Sequence, residues 1–491
     1  MASMASTTST SAVPPPAGKR EGDISDSFAS LSGLNSTPLP DHYRQLKLFL
    51  VADRDEATFV ASWQRLLAEL RTENEIIARL GPDVIPSIRY SHLDEDITTH
   101  KEDLHKRGVA IVRSVIPETE ARAYKDMVEA YVARNKDKTR GFPPENPQVY
   151  ELYWSAAQLA ARGHPNLVDT QKKLMGLWHA DPLAPIDLAQ PTTYADRLRI
   201  RLPGDARFAL GPHQDGGSVE RWEPQGYGLG KVYDPVFAGK WEDYDAWDAG
   251  HRATAVCDLH SGLGACSVFR AFQGWMSISH VGPRQGTLLV YPLAKLATVY
   301  TLMRPFFKPV KPAAVADKNF LDADNWVFTG GAAMTSDLQG ATPGHGQEFP
   351  DGPEGSLHPH LELARTMVHV PQVKPGDYVV WHCDGIHAVD KVHNGTSDSS
   401  VLYIPVCPLT EVNARYLVRQ REAFLTGLPG PDFPGGPGES AHDERPTSDA
   451  VQGDTQRRGM GLEPFEAGLD ASSGAKGITA LANSILGFEG K

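Results

Sequence analysis

The sequence is short of cysteine, of net positive charge and of long apolar runs, and each shortage excludes something. Cysteine occurs 4 times in 491 residues, at Cys257, Cys266, Cys383 and Cys407, and no two are spaced as in a zinc knuckle or a redox pair. These thiols read as reduced core residues, which suits a cytoplasmic compartment. Lys and Arg total 48 against 61 Asp and Glu, a formal charge of −13. That balance disfavours broad electrostatic binding to nucleic acid or to an anionic membrane and favours a small-molecule substrate. Apolar stretches such as Val109 to Val112 and Thr287 to Tyr291 fall far short of the ~20 residues that cross a bilayer. The opening MASMASTTSTSAVPPPAGKR has neither the continuous apolar core of a signal peptide nor the arginines of a transit peptide.

What is present divides the chain. Residues 1–40 are rich in Ser, Thr, Pro and Gly and are expected to form a disordered arm, having too little apolar surface to offset the entropy of ordering. Over 41–107 the pattern turns helical, with Phe59, Trp63, Leu66, Leu67 and Leu70 recurring at three- and four-residue steps. GVAIVRSVIP, from Gly108 to Pro117, then reads as a buried strand stopped by proline, with a helix after it. Short strands follow between Gly and Pro punctuation: Arg197 to Arg201, Ser267 to Val281, Gly286 to Leu293, Gly376 to Val389 and Ser399 to Val406. Such a rhythm predicts a mainly β fold with α additions, a jelly roll rather than a doubly wound sheet, over residues 108–427. Two intervals break it, 216–255 with six Trp and Tyr residues and 311–360 rich in Gly, Asp and Ala, and they read as insertions. The glycines at 226, 228 and 230 incline the aromatic one toward a lid. Residues 428–491 have the composition of an extended or disordered tail, with a short helix possible in ITALANSILGF.

One triplet carries chemistry. His213-Gln214-Asp215 puts a nitrogen and an oxygen ligand two residues apart, so at the end of a strand both point the same way. Two imidazoles and one carboxylate on one face of an iron(II) ion would leave the opposite face open, and the third ligand must come from elsewhere. A triplet this short also arises by chance as a surface ion pair. A second run gives it weight: Gly376-Asp377 opens a strand to His382, then come Ile386-His387-Ala388-Val389, Asn394 and Ser399. The two runs, with QGWMSISHVGPRQGTLLVYP between them, resemble the paired motifs of phytanoyl-CoA hydroxylase-like oxygenases. From Gly108 to Pro408 the chain is similar to the DUF1479 family of that superfamily.

The resemblance implies a double-stranded β-helix core of cupin-like type behind N-terminal helices. It implies Fe(II) held by His213, Asp215 and His387, with 2-oxoglutarate as cosubstrate and O2 as oxidant. The expected activity is oxidation, most often hydroxylation, of a small molecule. His382-Cys383-Asp384 is a rival H-x-D, but the superfamily places its last ligand after the strand, where His387 stands. His382, Gln273 and Trp275 are then expected in the pocket or behind the ligands, and Asp390 and His393 are candidates to orient His387.

The chain departs from the family in one respect. Most such oxygenases carry an arginine shortly beyond the last histidine to anchor the distal carboxylate of 2-oxoglutarate, and none occurs here from Ala388 to Ala414. Arg270, Arg199 and Ser399 are the substitutes. The gap keeps two other readings open: a cupin-type metal-dependent dioxygenase or isomerase that works without 2-oxoglutarate, and a non-catalytic jelly-roll binding protein.

Overall fold

The strand-forming residues assemble into two large sheets. The computed structural model describes residues 24–30, 38–52, 54–311, 319–352 and 355–488. Of the expected N-terminal arm, residues 1–23 and 31–37 lie outside the described residues, as do 312–318 and 353–354 of the second insertion. The larger sheet has eight strands, in the order Ser87–Arg89, Val109–Arg113, Tyr378–His382, Phe272–Ser277, Ser399–Tyr403, Leu198–Arg201, Val149–Tyr150 and Gly141–Phe142. Only its first pair is parallel. The smaller has five, in the order Gln347–Glu348, His213–Gln214, His387–Val389, Leu288–Val290 and Val368–His369. Every residue of Tyr378–His382 and Phe272–Ser277 is buried, as befits central strands covered on both faces.

The single strand expected over Gly376 to Val389 is two strands in different sheets. Tyr378–His382 belongs to the larger sheet; the chain then turns through Cys383-Asp384-Gly385-Ile386 and enters the smaller one at His387. This crossing separates the fates of His382 and His387.

Helices make up more than flanking additions, and the architecture is mixed α and β. The helix Glu56–Leu80 starts where the Asp55 carboxylate accepts from the Thr58 N–H at 2.9 Å and stops at Gly81, whose φ is 57°. Its apolar stripe of Phe59, Trp63, Leu66, Leu67 and Leu70 is buried in the main core. The aromatic insertion packs onto this layer. Trp241 donates to the Ser62 carbonyl, Trp222 to that of Leu302 and Trp247 to that of His105. A Cβ on Gly230 would come within 1.7 Å of the His251 carbonyl and one on Gly226 within 2.3 Å of that of Glu220, so close packing explains these glycines. The lid reading of 216–255 is therefore corrected to a packed insertion.

The tail reading of 428–491 also needs correction. Phe433, Val451 and Met460 enter a cluster with Tyr153, Trp154 and Tyr194, while Phe465, Ile478, Ala482 and Leu486 close another against Leu409 and Leu417. Two helices, Glu411–Thr426 and Ser473–Leu486, pack together there. The apolar residues lie far apart among Gly and Pro, so local composition conceals that they join two shared clusters.

Glu439 pins this segment. Its buried carboxylate accepts from the Tyr153 and Trp154 N–H groups at 2.7 and 2.9 Å and from the Tyr131 hydroxyl at 3.2 Å. Burial outweighs these bonds and pushes its pKa from an ordinary 4.5 up to about 7. The folded chain thus holds this proton more tightly than the unfolded chain, and the stability it contributes is lost as pH rises from 4.5 toward 7. Urea unfolding is expected to show this as a difference between wild type and Glu439→Gln that changes by up to about 3 kcal/mol across that interval. A difference independent of pH would refute it.

Candidate metal centre

Strand pairing builds the site. His213 and His387 face each other across adjacent antiparallel strands, and Asp215 follows His213 past the strand end. Gly216 and Gly217 come next with φ of 75° and 84°, a left-handed turn that glycine adopts without strain. The ligating atoms of His213, Asp215 and His387 all lie within 4.8 Å of one another. The nearest approaches are His387 Nε2 to Asp215 Oδ2 at 3.7 Å and His213 Nε2 to Asp215 Oδ1 at 3.9 Å.

Hydrogen bonds fix the tautomers. His213 Nδ1–H donates to the Gly211 carbonyl at 2.7 Å and His387 Nδ1–H to that of Gly385 at 3.0 Å. Both Nε2 lone pairs are left to converge beside the carboxylate, the arrangement a cation needs. Burial, helped by His213, pushes the His387 pKa down to about 3, so the imidazole stays neutral. Burial alone would raise the Asp215 carboxyl, but His387, His213 and Arg270 hold it below its ordinary value. Asp390 and His393 do not orient His387: Asp390 accepts from His369 Nε2 at 2.7 Å and the Thr287 N–H at 3.0 Å, and His393 Nδ1 accepts from the Gly395 N–H.

The rival triplet is spoken for. His382 Nε2–H donates to the Ala246 carbonyl, its Nδ1 accepts from the Asp384 N–H, and its ring stacks on Trp178 at 4.8 Å. Asp384 is buried between Arg221 and Arg252, at 2.6 and 2.5 Å. This ion triad reaches the other motif. Arg221 also donates to the Asp215 carbonyl at 2.9 Å, and Gln214 Nε2 donates to the Asp384 carbonyl at 2.6 Å. Asp384 therefore holds the main chain of the H-Q-D turn, a role the sequence did not reveal.

The three candidate ligands open onto a cavity of about 1070 Å³, its mouth included, into which both sheets project side chains. Gln273, Trp275, Arg199 and Arg270 all line it. Arg197, Arg199 and Arg201 share one strand face but differ in environment. Arg201 is closed off by Asp205 and the Asp390 carbonyl, and Arg197 pairs with Asp196 at 3.2 Å. Among the described residues Arg199 has one side-chain hydrogen bond, to Ser399 Oγ at 3.2 Å, and its buried Nε has no partner. Buried Gln273 Nε2 and Trp381 Nε1, on the same wall, are also without acceptors. Unmatched donors on the wall of one cavity fit an anionic ligand rich in acceptors.

Two wall elements went unforeseen. The strand Gln347–Glu348, inside the second insertion, pairs with His213–Gln214 and completes the smaller sheet. Alongside it, the short turn Ile24–Ser27 leads to Phe28, whose ring meets that of His213 edge-on at 4.7 Å. The Ser27 carbonyl accepts from the Gly346 N–H at 3.1 Å, and Ser30 donates to Glu348. No signal in the polar N-terminal composition singles out Phe28.

A two-histidine, one-carboxylate cluster facing a guanidinium-lined cavity between two sheets defines a candidate metal-dependent protein of mixed α and β architecture. The chain belongs to the Gig2-like family, whose model matches residues 37–462, and the DUF1479 resemblance of its motifs is thereby shown. It is 31% identical over 368 residues to YbiU of Escherichia coli K12, an alignment covering 72% of this chain and 80% of that one. Its fold is similar to the crystal structure of GlcNAc Inducible Gene 2, GIG2, a DUF1479 protein from Candida albicans. The TM-score is 0.79 at 30% identity, over 93% of this chain and 97% of that one. A structure of Escherichia coli JW0805 matches with a TM-score of 0.70 at 28% identity, over 88% and 100% of the respective chains. Among the described residues, no helix is long and apolar enough to cross a membrane, and all four cysteines are free.

Proposed function

We propose that this chain is a non-haem Fe(II), 2-oxoglutarate-dependent oxygenase that hydroxylates a small molecule on a double-stranded β-helix core. The observation that carries the reading is the convergence of His213 Nε2, His387 Nε2 and the Asp215 carboxylate at the edge of a cavity with unmatched donors. Iron, when bound with the keto acid and O2, supplies the oxidation of an unactivated C–H bond. The protein's part is to hold, orient and exclude water.

Arg199 is the anchor we assign to the distal carboxylate, in place of the absent downstream arginine. Ser399 Oγ accepts from Arg199 and donates to the Gly286 carbonyl at 3.2 Å, so its hydroxyl steers the guanidinium. Along the smaller sheet His387 lies opposite Val290 and Val389 opposite Leu288, so Gly286 marks the end away from the candidate ligands. Arg199 thus lies toward that end of the sheet and the candidate ligands toward the other, with the apolar Leu288–Val389 pair between them in the lining. A dicarboxylate spanning that gap would reach both.

The missing family arginine is what favours a reading without 2-oxoglutarate, and binding data separate the two. Calorimetry of 2-oxoglutarate on Mn(II)-loaded protein is expected to show one site, weakened thirtyfold or more in Arg199→Gln, matching the about 2–5 kcal/mol lost when a buried charge pair is broken. Succinate release in aerobic Fe(II) assays should accompany it. Wild-type protein that binds no 2-oxoglutarate, or forms no succinate under any substrate, would sink the proposal and favour the cupin-type alternative.

A further inference from the structure

Resting on that reading, we infer that the primary substrate is an organic acid whose anionic group is taken by Arg270 at the rim of the cavity. Arg270 lines the cavity beside Asp215, with 3.6 Å between Nη2 and Oδ2, and it makes no hydrogen bond to any described residue. Its guanidinium lies 5.6 Å from the centre of the Tyr194 ring, a face that restrains it while leaving its donor edge open. The backbone beneath is held rigidly: the Asn413 side chain accepts from the Phe269 N–H at 2.9 Å and donates to the Phe269 carbonyl at 2.8 Å. A fixed main chain carrying an unsatisfied fork of donors is a receptor for a planar oxyanion.

Charge balance points the same way. Arg197, Arg199 and Arg270 line the cavity against Asp196 and Asp215. Arg197 and Asp196 neutralise each other. A divalent cation and doubly negative 2-oxoglutarate cancel, and Asp215, 3.6 Å from Arg270, can match only one of the two guanidinium charges of Arg270 and Arg199. One surplus positive charge then remains in the cavity, where leaving a buried charge uncompensated costs several kcal/mol. One negative charge on the substrate closes the account, and it would lie within a side chain's length of the candidate ligands.

The test uses Mn(II)-loaded full-length protein, without and with saturating 2-oxoglutarate. Its melting temperature is measured against a panel of small carboxylic acids, each paired with its neutral amide, and against phosphate monoesters. Acids are expected to stabilise where their amides do not, and Arg270→Gln is expected to weaken the best acid at least tenfold while 2-oxoglutarate affinity changes less than threefold. Preference for the phosphate monoesters, again lost in Arg270→Gln, would support the same receptor with a different oxyanion. A panel in which no anion binds, or in which neutral compounds bind both proteins equally, overturns the inference. Loss of 2-oxoglutarate affinity in Arg270→Gln as large as in Arg199→Gln overturns it too, by giving Arg270 to the cosubstrate. If wild-type protein ignores 2-oxoglutarate, the oxygenase reading fails, yet the acid and amide comparison without 2-oxoglutarate still decides the role of Arg270.

Discussion

His213→Ala protein is expected to fold normally and to lose high-affinity Mn(II) or Fe(II) binding. Changing a partner that merely orients a ligand costs metal affinity about 10–100-fold, and removing a ligand from a centre with three protein ligands should cost more. The side chain is buried, but among the described residues its one hydrogen bond is to a backbone carbonyl, so its loss leaves no stranded charge. Equilibrium dialysis with metal analysis gives the answer directly. A variant that retains the metal at wild-type affinity would leave the convergence of these three side chains without a chemical meaning.

The second large effect concerns stability. Asp384→Ala removes the only carboxylate paired, among the described residues, with Arg221 and Arg252, two buried guanidinium groups at 2.6 and 2.5 Å from it. Breaking a buried ion pair by deleting one partner costs about 3–5 kcal/mol, because the remaining charge keeps its desolvation penalty. Here two charges remain, so the upper end of that range is expected in urea unfolding. Metal affinity should fall as well, since Arg221 would no longer be held against the Asp215 carbonyl. Asp384→Asn, which keeps the shape and one acceptor, should lose less on both counts. A cost below about 1 kcal/mol for the alanine variant would show the triad to be no stronger than a surface pair.

The parts of the fold legible in the sequence were those written in local periodicity. The stripe from Phe59 to Leu70 gave its helix, and VAIVR and YVVWH gave central strands, because burial on both faces demands continuous apolar residues. The candidate ligands were legible because an H-x-D at a strand end and a histidine after a G-D strand are local patterns as well. What local pattern could not show was pairing across long separations. Asp384 meets Arg221 and Arg252 from 163 and 132 residues away. The packed C-terminal segment escaped for the same reason: Phe433, Val451, Met460 and Phe465 each contribute to cores whose other members lie elsewhere. Arg199 fell between these cases, since strand alternation put three arginines on one face but could not say whether that face met water or a polar cavity, nor which of the three stayed open to it.

Phe28 gives the centre an unusual dependence. The match to the family model begins at residue 37, so the ring set against His213 is supplied from upstream of it. A substitution at Phe28 would then alter what borders the three candidate ligands without touching a single candidate coordinating atom.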